Sequence, residues 1–482
     1  MNPLRYNGPA VFGVRPGHPL FFTLPLTGEG KIAVELLTPV PGIRFDPSTR
    51  RISGRMDAAG GIPLRFAAED RSGRIEFSLE IVVGEEILLT PPMGWNSWYC
   101  FSESVSDEKV RDAARGMVER GLAEHGWNWI NIDDCWQTER GGRYGALQGN
   151  VRFPDMKALS DYIHGLGLRF GIYSTPWVST YGGFRGGTGD PGCGEEKFYL
   201  PPEQRPQPDQ VFGRYPSGRD SGVFRIGEDW RFDADIRQWV EWEVDYVKVD
   251  WYPNDVPTTR RIAESLRRCG RDIVLSLSNN APFEFAADLS RLAQLWRVTG
   301  DIQDCWKTLS SIGFDLSTRW IPYCRPGHWN DPDMLQIGAI GVPNSYNTCY
   351  RPTRLTREEQ KLQLSLWCLL SAPLLLSCDL SGMDDFSLEL LTNDEVLAID
   401  QDRLAAPPSI SEPEPGIRVY RKALADGSTA LGIFNLNDAA RRVDLARECA
   451  GAEEVRDLWA HDRAGRTTVE VASHGACLYR LK

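Results

Sequence analysis

Val244-Asp245-Tyr246-Val247-Lys248-Val249-Asp250-Trp251 has the length and punctuation of one β-strand. Apolar Val244, Tyr246 and Val249 are interleaved with polar residues, and the run stops at Pro253-Asn254. Lys248 and Asp250 stand two apart, so in an extended chain both side chains leave the same face. A cation beside a carboxylate favours the ionised form of that carboxylate. An ionised Asp at a strand's C-terminal end has the chemistry of a nucleophile. Taken alone, the same pair also fits a structural ion pair that staples the strand. The rest of the chain decides between the two.

Working outward from this strand, the stretch from Thr90 to Asp400 alternates short apolar runs with helix-length amphipathic segments. The runs predict strands at Met93–Trp98, Trp127–Asp133, Leu168–Ser174, Val244–Asp250, Asp272–Leu277, Leu295–Thr299, His328–Leu335 and Pro373–Cys378, with helices between them such as Ser106–Arg120 and Arg357–Leu370. Eight strands with intervening helices over about 300 residues are what an α/β chain needs for a (β/α)8 TIM barrel. A doubly wound open sheet accounts for the alternation nearly as well, but not for functional residues after so many different strands. Asp133-Asp134, Tyr173, Asp250, Asp301 and Asp333 all fall at or just past predicted strand ends, on the rim where barrels do chemistry.

The flanks have a different texture. Residues 1–88 show short alternating runs separated by Gly, Pro and Asp turns, the pattern of a small N-terminal β-sandwich. Residues 401–482 become β-like again and predict a C-terminal antiparallel β-sandwich, leaving 89–400 for the barrel. The Gly- and Pro-rich connection from Trp177 to Glu228 far exceeds the usual limit of ~12–15 residues. It is expected to be either a wall or lid of the catalytic rim or surface decoration.

The net charge of −12 argues against nucleic acid or an anionic membrane surface as partner, and no apolar run has transmembrane length. Met1–Gly8 lacks an apolar signal core, so the expected location is cytoplasmic, with export of a parent whose leader was removed left open. Eleven Cys without CxxC pairs and six His without an HExxH motif give no zinc-type spacing, so neither metal nor cofactor is expected. The thiols are expected reduced and mostly buried, although Cys100 and Cys135 could approach each other. No phosphate loop and no Gly-x-Ser-x-Gly elbow is present. What remains is a set of acids on one rim with Trp, Tyr, Lys and Arg, and sixteen Trp in all, some of which could stack on sugar rings. Two carboxyl groups with others to hold hydroxyls are what glycoside cleavage uses.

Six stretches, in order, resemble the motifs of glycoside hydrolase family 27, the α-galactosidases and α-N-acetylgalactosaminidases. They are Met93-Gly-Trp-Asn-Ser-Trp98, Asn131-Ile-Asp-Asp-Cys-Trp136, Gly171-Ile-Tyr173, Asp245-Tyr-Val-Lys-Val-Asp250, Trp296-Arg-Val-Thr-Gly-Asp301 and Gly327-His-Trp-Asn-Asp-Pro-Asp-Met-Leu335. The N-terminal module resembles the immunoglobulin-like domain attached to some bacterial members. The resemblance implies a retaining double displacement releasing terminal α-D-galactose from oligosaccharides or glycoconjugates, with Asp250 as nucleophile and Asp301 as general acid/base. It further implies that Asp133 and Asp134 hold the sugar's O4 and O6, that Lys248 contacts the sugar, that Trp98 stacks on the ring, and that Tyr173, Arg297 and Asp333 supply further hydrogen bonds. By the same resemblance Asp301 should be the more easily protonated of the catalytic pair.

This chain departs from the family twice. Trp251-Tyr252 stand where many members carry a Cys bridged to one after the third strand. In Leu275-Ser-Leu-Ser-Asn-Asn-Ala-Pro282, a gapless match puts Ser278 and Ala281 at the sugar's C2, as in the N-acetylgalactosaminidases, while Asn279-Asn280 fit neither subgroup. α-N-acetylgalactosaminidase and β-L-arabinopyranosidase therefore stay open as alternatives, with a retired carbohydrate-binding barrel as a rival from another class. The sequence fixes no oligomeric state.

Overall fold

The computed structural model describes residues 3–189, 224–341, 351–465 and 467–482. Its centre is an eight-stranded parallel sheet of β1 (Met93–Asn96), β2 (Trp129–Asn131), β3 (Arg169–Ser174), β4 (Tyr246–Asp250), β5 (Val274–Ser278), β6 (Leu295–Arg297), β7 (Trp329–Asp331) and β8 (Leu374–Leu376). Neighbours run β7-β6-β5-β4-β3-β2-β1-β8. The two edges meet just beyond β7, where Leu335 bridges Leu376 in parallel and its N–H donates to the Leu375 carbonyl at 2.8 Å. The sheet thus curls into a barrel, as the alternation predicts.

Strand register explains which residues face inward. Lys248 lies between Tyr173 of β3 and Ser276 of β5, and Asp250 is paired with Ser278. Residues of the opposite parity, Val247, Val249, Leu275 and Leu277, join the large apolar core beneath the helices. At the barrel's N-terminal end, Trp129, Tyr246, Val274 and Leu295 pack with Ile87 into an apolar plug. Above this plug the inward positions turn polar.

The helices include α1 (Asp107–Glu119), α2 (Met156–Gly165), α3 (Phe232–Glu241), α4 (Val256–Arg267), α5 (Ala286–Leu292), α6 (Trp306–Ser310) and α7 (Arg357–Leu370). Side-chain caps from Ser106, Asp155 and Asp255 start α1, α2 and α4, and Thr356 with Glu359 closes a capping box on α7. Residues 362–370 of α7 are buried all round because strands of the C-terminal sandwich cover the face turned away from the barrel.

The N-terminal module packs a four-stranded against a three-stranded sheet, enclosing its own core around Leu24, Phe66 and Leu79. It seats on the barrel's N-terminal end. Asp272, just before β5, accepts from the Arg15 backbone at 3.0 Å and guanidinium at 3.1 Å and lies 2.8 Å from His18. Arg169 at the foot of β3 stacks between Phe12 and Trp129. The opposite end is left for a site.

At the C-terminus a six-stranded antiparallel sheet, with a separate two-stranded one, packs on the barrel helices. The long connection after β3 is described only at its two ends, with residues 190–223 outside the described residues. There Thr188–Gly189 pairs with Asp229–Trp230. Cys135 is a buried free thiol, so no bridge joins it to Cys100.

The seam between barrel and C-terminal sandwich carries a buried cation. Lys422, on strand Ile417–Ala423, donates to the Cys368 carbonyl (3.1 Å), Ser371 Oγ (2.6 Å) and the Ile399 carbonyl (2.7 Å). It thereby satisfies carbonyls in the last turns of α7 and of helix Asp394–Asp400, where a positive charge suits the helix dipole. Burial draws its pKa down while buried Asp400 draws it up. Lys422→Met keeps the bulk but leaves the two carbonyls without their donor. It should cost about 1–3 kcal/mol, the range for leaving a buried polar group unsatisfied, read as a lowered denaturant midpoint against wild type.

Candidate active site

A pocket of about 260 Å³ opens at the C-terminal ends of the barrel strands. Asp133 and Asp134 beyond β2, Tyr173 from β3, and Lys248 and Asp250 from β4 form one side and the floor. Arg297 from β6 and Asp301 just past it form the other side, and Trp98 beyond β1 closes the wall. Residues predicted from positions hundreds of residues apart thus share one cavity because each ends, or just follows, a parallel strand.

Lys248 does not bond Asp250 directly, as the two-residue spacing suggested. Its Nζ donates to Asp133 Oδ2 at 2.8 Å, an oxygen that also accepts from Asn96 Nδ2 at 2.9 Å. The Lys reaches across two strands to the acid facing it, and acts on Asp250 through its field alone. Asp250 Oδ2 accepts from the Tyr173 hydroxyl at 3.1 Å, while Oδ1 is buried without a hydrogen-bond partner among the described residues. Burial pushes the Asp250 carboxyl up to about 6, against the pull of Lys248 and with help from Asp133 and Asp301.

Asp134 is held by the loop after β3. Its Oδ2 accepts from the Gly182 N–H at 2.7 Å and Oδ1 from the Cys135 N–H at 2.6 Å. Burial nonetheless raises it to about 7. Tyr181 of the same loop lines the pocket, so the described start of the long connection forms a wall. The expectation for the rest of that segment falls outside the described residues.

On the far side, Arg297 Nη2 lies 2.7 Å from Asp333 Oδ2 and 3.2 Å from Asp301 Oδ1. The Arg297 pKa rises: the fields of Asp333, Asp301 and Asp331 outweigh its burial. Asp333 is not part of the pocket surface. Its Oδ2 also accepts from the Tyr99 hydroxyl at 3.0 Å and the Ile302 N–H at 2.8 Å, so the carboxylate stands behind Arg297 and supports it. It does so from a left-handed backbone conformation (φ 82°), an uncommon state for a non-glycine residue, with its Oδ1 accepting the Met334 N–H at 2.8 Å. Asp301, by contrast, is 56% exposed at the side chain and faces the opening.

The structure also revises the expectation at Ser278. Ser278 is buried at the end of β5 beside Asp250, and Ala281 is buried with its N–H on the Arg297 carbonyl (2.8 Å). The pocket surface there belongs to Asn279, whose Oδ1 is buried without a partner among the described residues. Tyr99, Tyr181 and Met334 are the other lining residues that sequence reasoning missed. Tyr99, Asn279 and Met334 each directly follow a residue predicted for the site, Trp98, Ser278 and Asp333, and that adjacency is the signal that points to them. Among the described residues no three His, Cys, Asp or Glu side chains are placed to hold a metal ion.

Comparison with known proteins agrees with this geometry. The family model described as alpha galactosidase A matches residues 90–195 and 222–402, and the alpha galactosidase C-terminal beta sandwich domain matches 414–481. Alpha-galactosidase 2 of Arabidopsis thaliana is 31% identical over 396 residues, covering 80% of this chain and 86% of that protein. A solved structure from Bacteroides fragilis, provisionally described as an alpha-galactosidase/melibiase, superposes with a TM-score of 0.84 at 29% identity over 99% of this chain and 98% of that one, the N-terminal module included. A family 27 β-L-arabinopyranosidase from Geobacillus stearothermophilus has a TM-score of 0.65 at 28% identity over 82% of this chain and 97% of that one. With motifs, barrel and both family models in agreement, the chain belongs to the α-galactosidase (melibiase) family, glycoside hydrolase family 27.

Proposed function

We propose that this glycosidase releases terminal α-D-galactose from oligosaccharides or glycoconjugates with retention, through Asp250 and Asp301. The observation that carries this reading is that both carboxyl groups line one pocket together with the acidic pair Asp133-Asp134. Asp250 Oδ1, uncommitted among the described residues, is the atom that attacks the anomeric carbon, while the Tyr173 hydroxyl holds Oδ2. As that bond forms, the glycosidic C–O bond breaks and Asp301 gives its proton to the leaving oxygen. Water then enters from the Asp301 side, loses a proton to that carboxylate and displaces Asp250, freeing the sugar with its original anomeric configuration.

Exposure suits Asp301 to this exchange, because leaving group and water reach it from solvent. Arg297, pinned by Asp333, stands beside it. Asp133 and Asp134 accept from the sugar's hydroxyls, and Trp98 covers a ring face. The Lys248 bond to Asp133 keeps that acceptor oriented. The expectation that Lys248 holds Asp250 low is not met. Asp250 titrates near 6 because burial outweighs its cation, so it is predominantly charged at neutral pH.

Replacing Asp250 by Ala should reduce turnover of p-nitrophenyl α-galactoside by at least ~10³-fold, on the scale of losing a covalent nucleophile. Activity equal to wild type would sink the assignment and favour a sugar-binding barrel that no longer catalyses. The α-galactoside, N-acetyl-α-galactosaminide and β-L-arabinopyranoside should be assayed side by side, with the galactoside expected to show the highest kcat/KM. A clear preference for either of the others would move the substrate while leaving the mechanism in place. The galactoside is favoured here because the matching family models and the relative at 31% identity are α-galactosidases.

The pH dependence has a definite sign. Asp250 must be ionised to attack, so kcat/KM should fall as pH drops through about 6. Lys248 lowers the Asp250 pKa, so Lys248→Met should move this acid limb to higher pH. A limb that stays in place or moves lower in the variant would show that the limb does not report Asp250.

A further inference from the structure

We propose that Asp304, with Arg351 and Arg354, is a positioning device for the acid/base loop, an inference that rests on the role given above to Asp301. Asp301 stands on the loop that leaves β6 and enters α6. It follows Gly300, and the bond from Arg297 at 3.2 Å is a long one for so exposed a side chain. Its placement must therefore come from the backbone that follows it. Directly after it the Ile302 N–H is fixed by the buried Asp333 carboxylate. Two residues further on, Asp304 is wholly buried and takes five hydrogen bonds. Arg351 grips it with both terminal nitrogens (2.6 and 3.2 Å), and Arg354 gives its backbone N–H (2.8 Å), Nε (3.1 Å) and Nη2 (2.8 Å).

Burial alone would raise this carboxyl, but the two guanidinium groups and the N–H hold it below the ordinary Asp value. The clamp is anchored in turn. Arg351–Pro352 pairs with Ala339–Ile340, Gly341 N–H donates to the Tyr99 carbonyl at 2.6 Å, and Asp379 N–H donates to the Ala339 carbonyl at 2.8 Å. The loop bearing Asp301 is thereby tied across the rim to the ends of β1 and β8, a frame independent of its own strand. Because Asp304 touches no pocket atom, its effect on chemistry runs through the place of Asp301, and a displacement of about 1 Å at an acid is enough to be felt in proton transfer.

A loop that only preserved stability would, when loosened, slow all substrates alike. A loop that aims a general acid affects those whose leaving group needs a proton. Asp304→Asn and Arg354→Ala should therefore be compared on a galactosyl disaccharide and on dinitrophenyl α-galactoside, whose leaving group departs unprotonated, with Asp301→Ala as reference. Asp304→Asn is expected to lose about tenfold or more in kcat/KM on the disaccharide and no more than about twofold on the aryl substrate. Arg354→Ala, which removes an exposed side chain, should show the same contrast more weakly and decides the matter if Asp304→Asn does not fold. Equal losses on both substrates in Arg354→Ala and any folded Asp304→Asn, while Asp301→Ala shows the contrast, would overturn the clamp. Equal losses in Asp301→Ala itself would instead remove the acid/base role on which the clamp depends.

Discussion

The site is governed by a shortage of cations inside the barrel mouth. Asp133, Asp250, Asp301, Asp331 and Asp333 converge on two positive groups, Lys248 and Arg297. Lys248 bonds Asp133, and Arg297 bonds Asp333 behind it and, at 3.2 Å, Asp301. Asp250 and Asp331, with no direct cationic partner, are pushed by burial up to about 6. This division of charge leaves one Asp250 oxygen uncommitted and still holds the group ionised at neutral pH. A Lys bonded to Asp250 itself would neutralise the acid more fully and blunt it as a nucleophile.

Such a mouth needs a rigid frame, because unpaired charge in a low dielectric pulls in water and loosens its surroundings. The frame comes from outside the barrel as much as from its strands. All six histidines of the chain stand against a carboxylate: His18 on Asp272, His125 on Asp394, His164 on Asp245, His328 on Glu86, His461 on Glu395 and His474 on Glu359. Several of these pairs cross between modules. Asp272 and Glu86 tie the N-terminal module and its linker to the barrel foot, while Glu395 and Glu359 tie the C-terminal sandwich to barrel helices. Lys422 does the same work in the interior. The flanking sandwiches thus brace the barrel at its foot and along its helices while leaving the catalytic end open.

Much of this was legible from residues alone. Seven of the strands β1 to β8 lie inside the predicted runs and β5 overruns its run by one residue, Ser278, because buried parallel strands are short, apolar and bounded by turn residues, and α7 spans Arg357–Leu370 as its pattern predicts. The chemistry-bearing residues were found at strand ends because the barrel places them there whatever their separation in the chain. What the residues could not convey was depth. Asp333 and Asp301 are both acids on the same rim, yet one is sealed behind Arg297 and the other is open to solvent. Sequence position fixes the strand, but the tilt of the loop beyond it decides which carboxylate meets the ligand. The same limit applies at Ser278, where one residue of loop decides that Asn279 forms the pocket surface.

Depth also changes how the Lys248-x-Asp250 spacing should be understood. Two residues apart on a strand, the side chains share a face but stand about 6.5–7 Å apart along it, too far for a direct bond between a Lys and an Asp that both point inward. In a closed barrel the inward face is crowded by residues from other strands, and the nearest acceptor for a long Lys is across the interior. Asp133, two strands away, fills that place, and Asn96 from the next strand bonds the same oxygen. A KxD pair at the end of a barrel strand is therefore better understood as two separate functions that share a face. The Lys orders the ligand-binding acid opposite, and the Asp, left with a neutral Tyr173 hydroxyl for company, remains free to react.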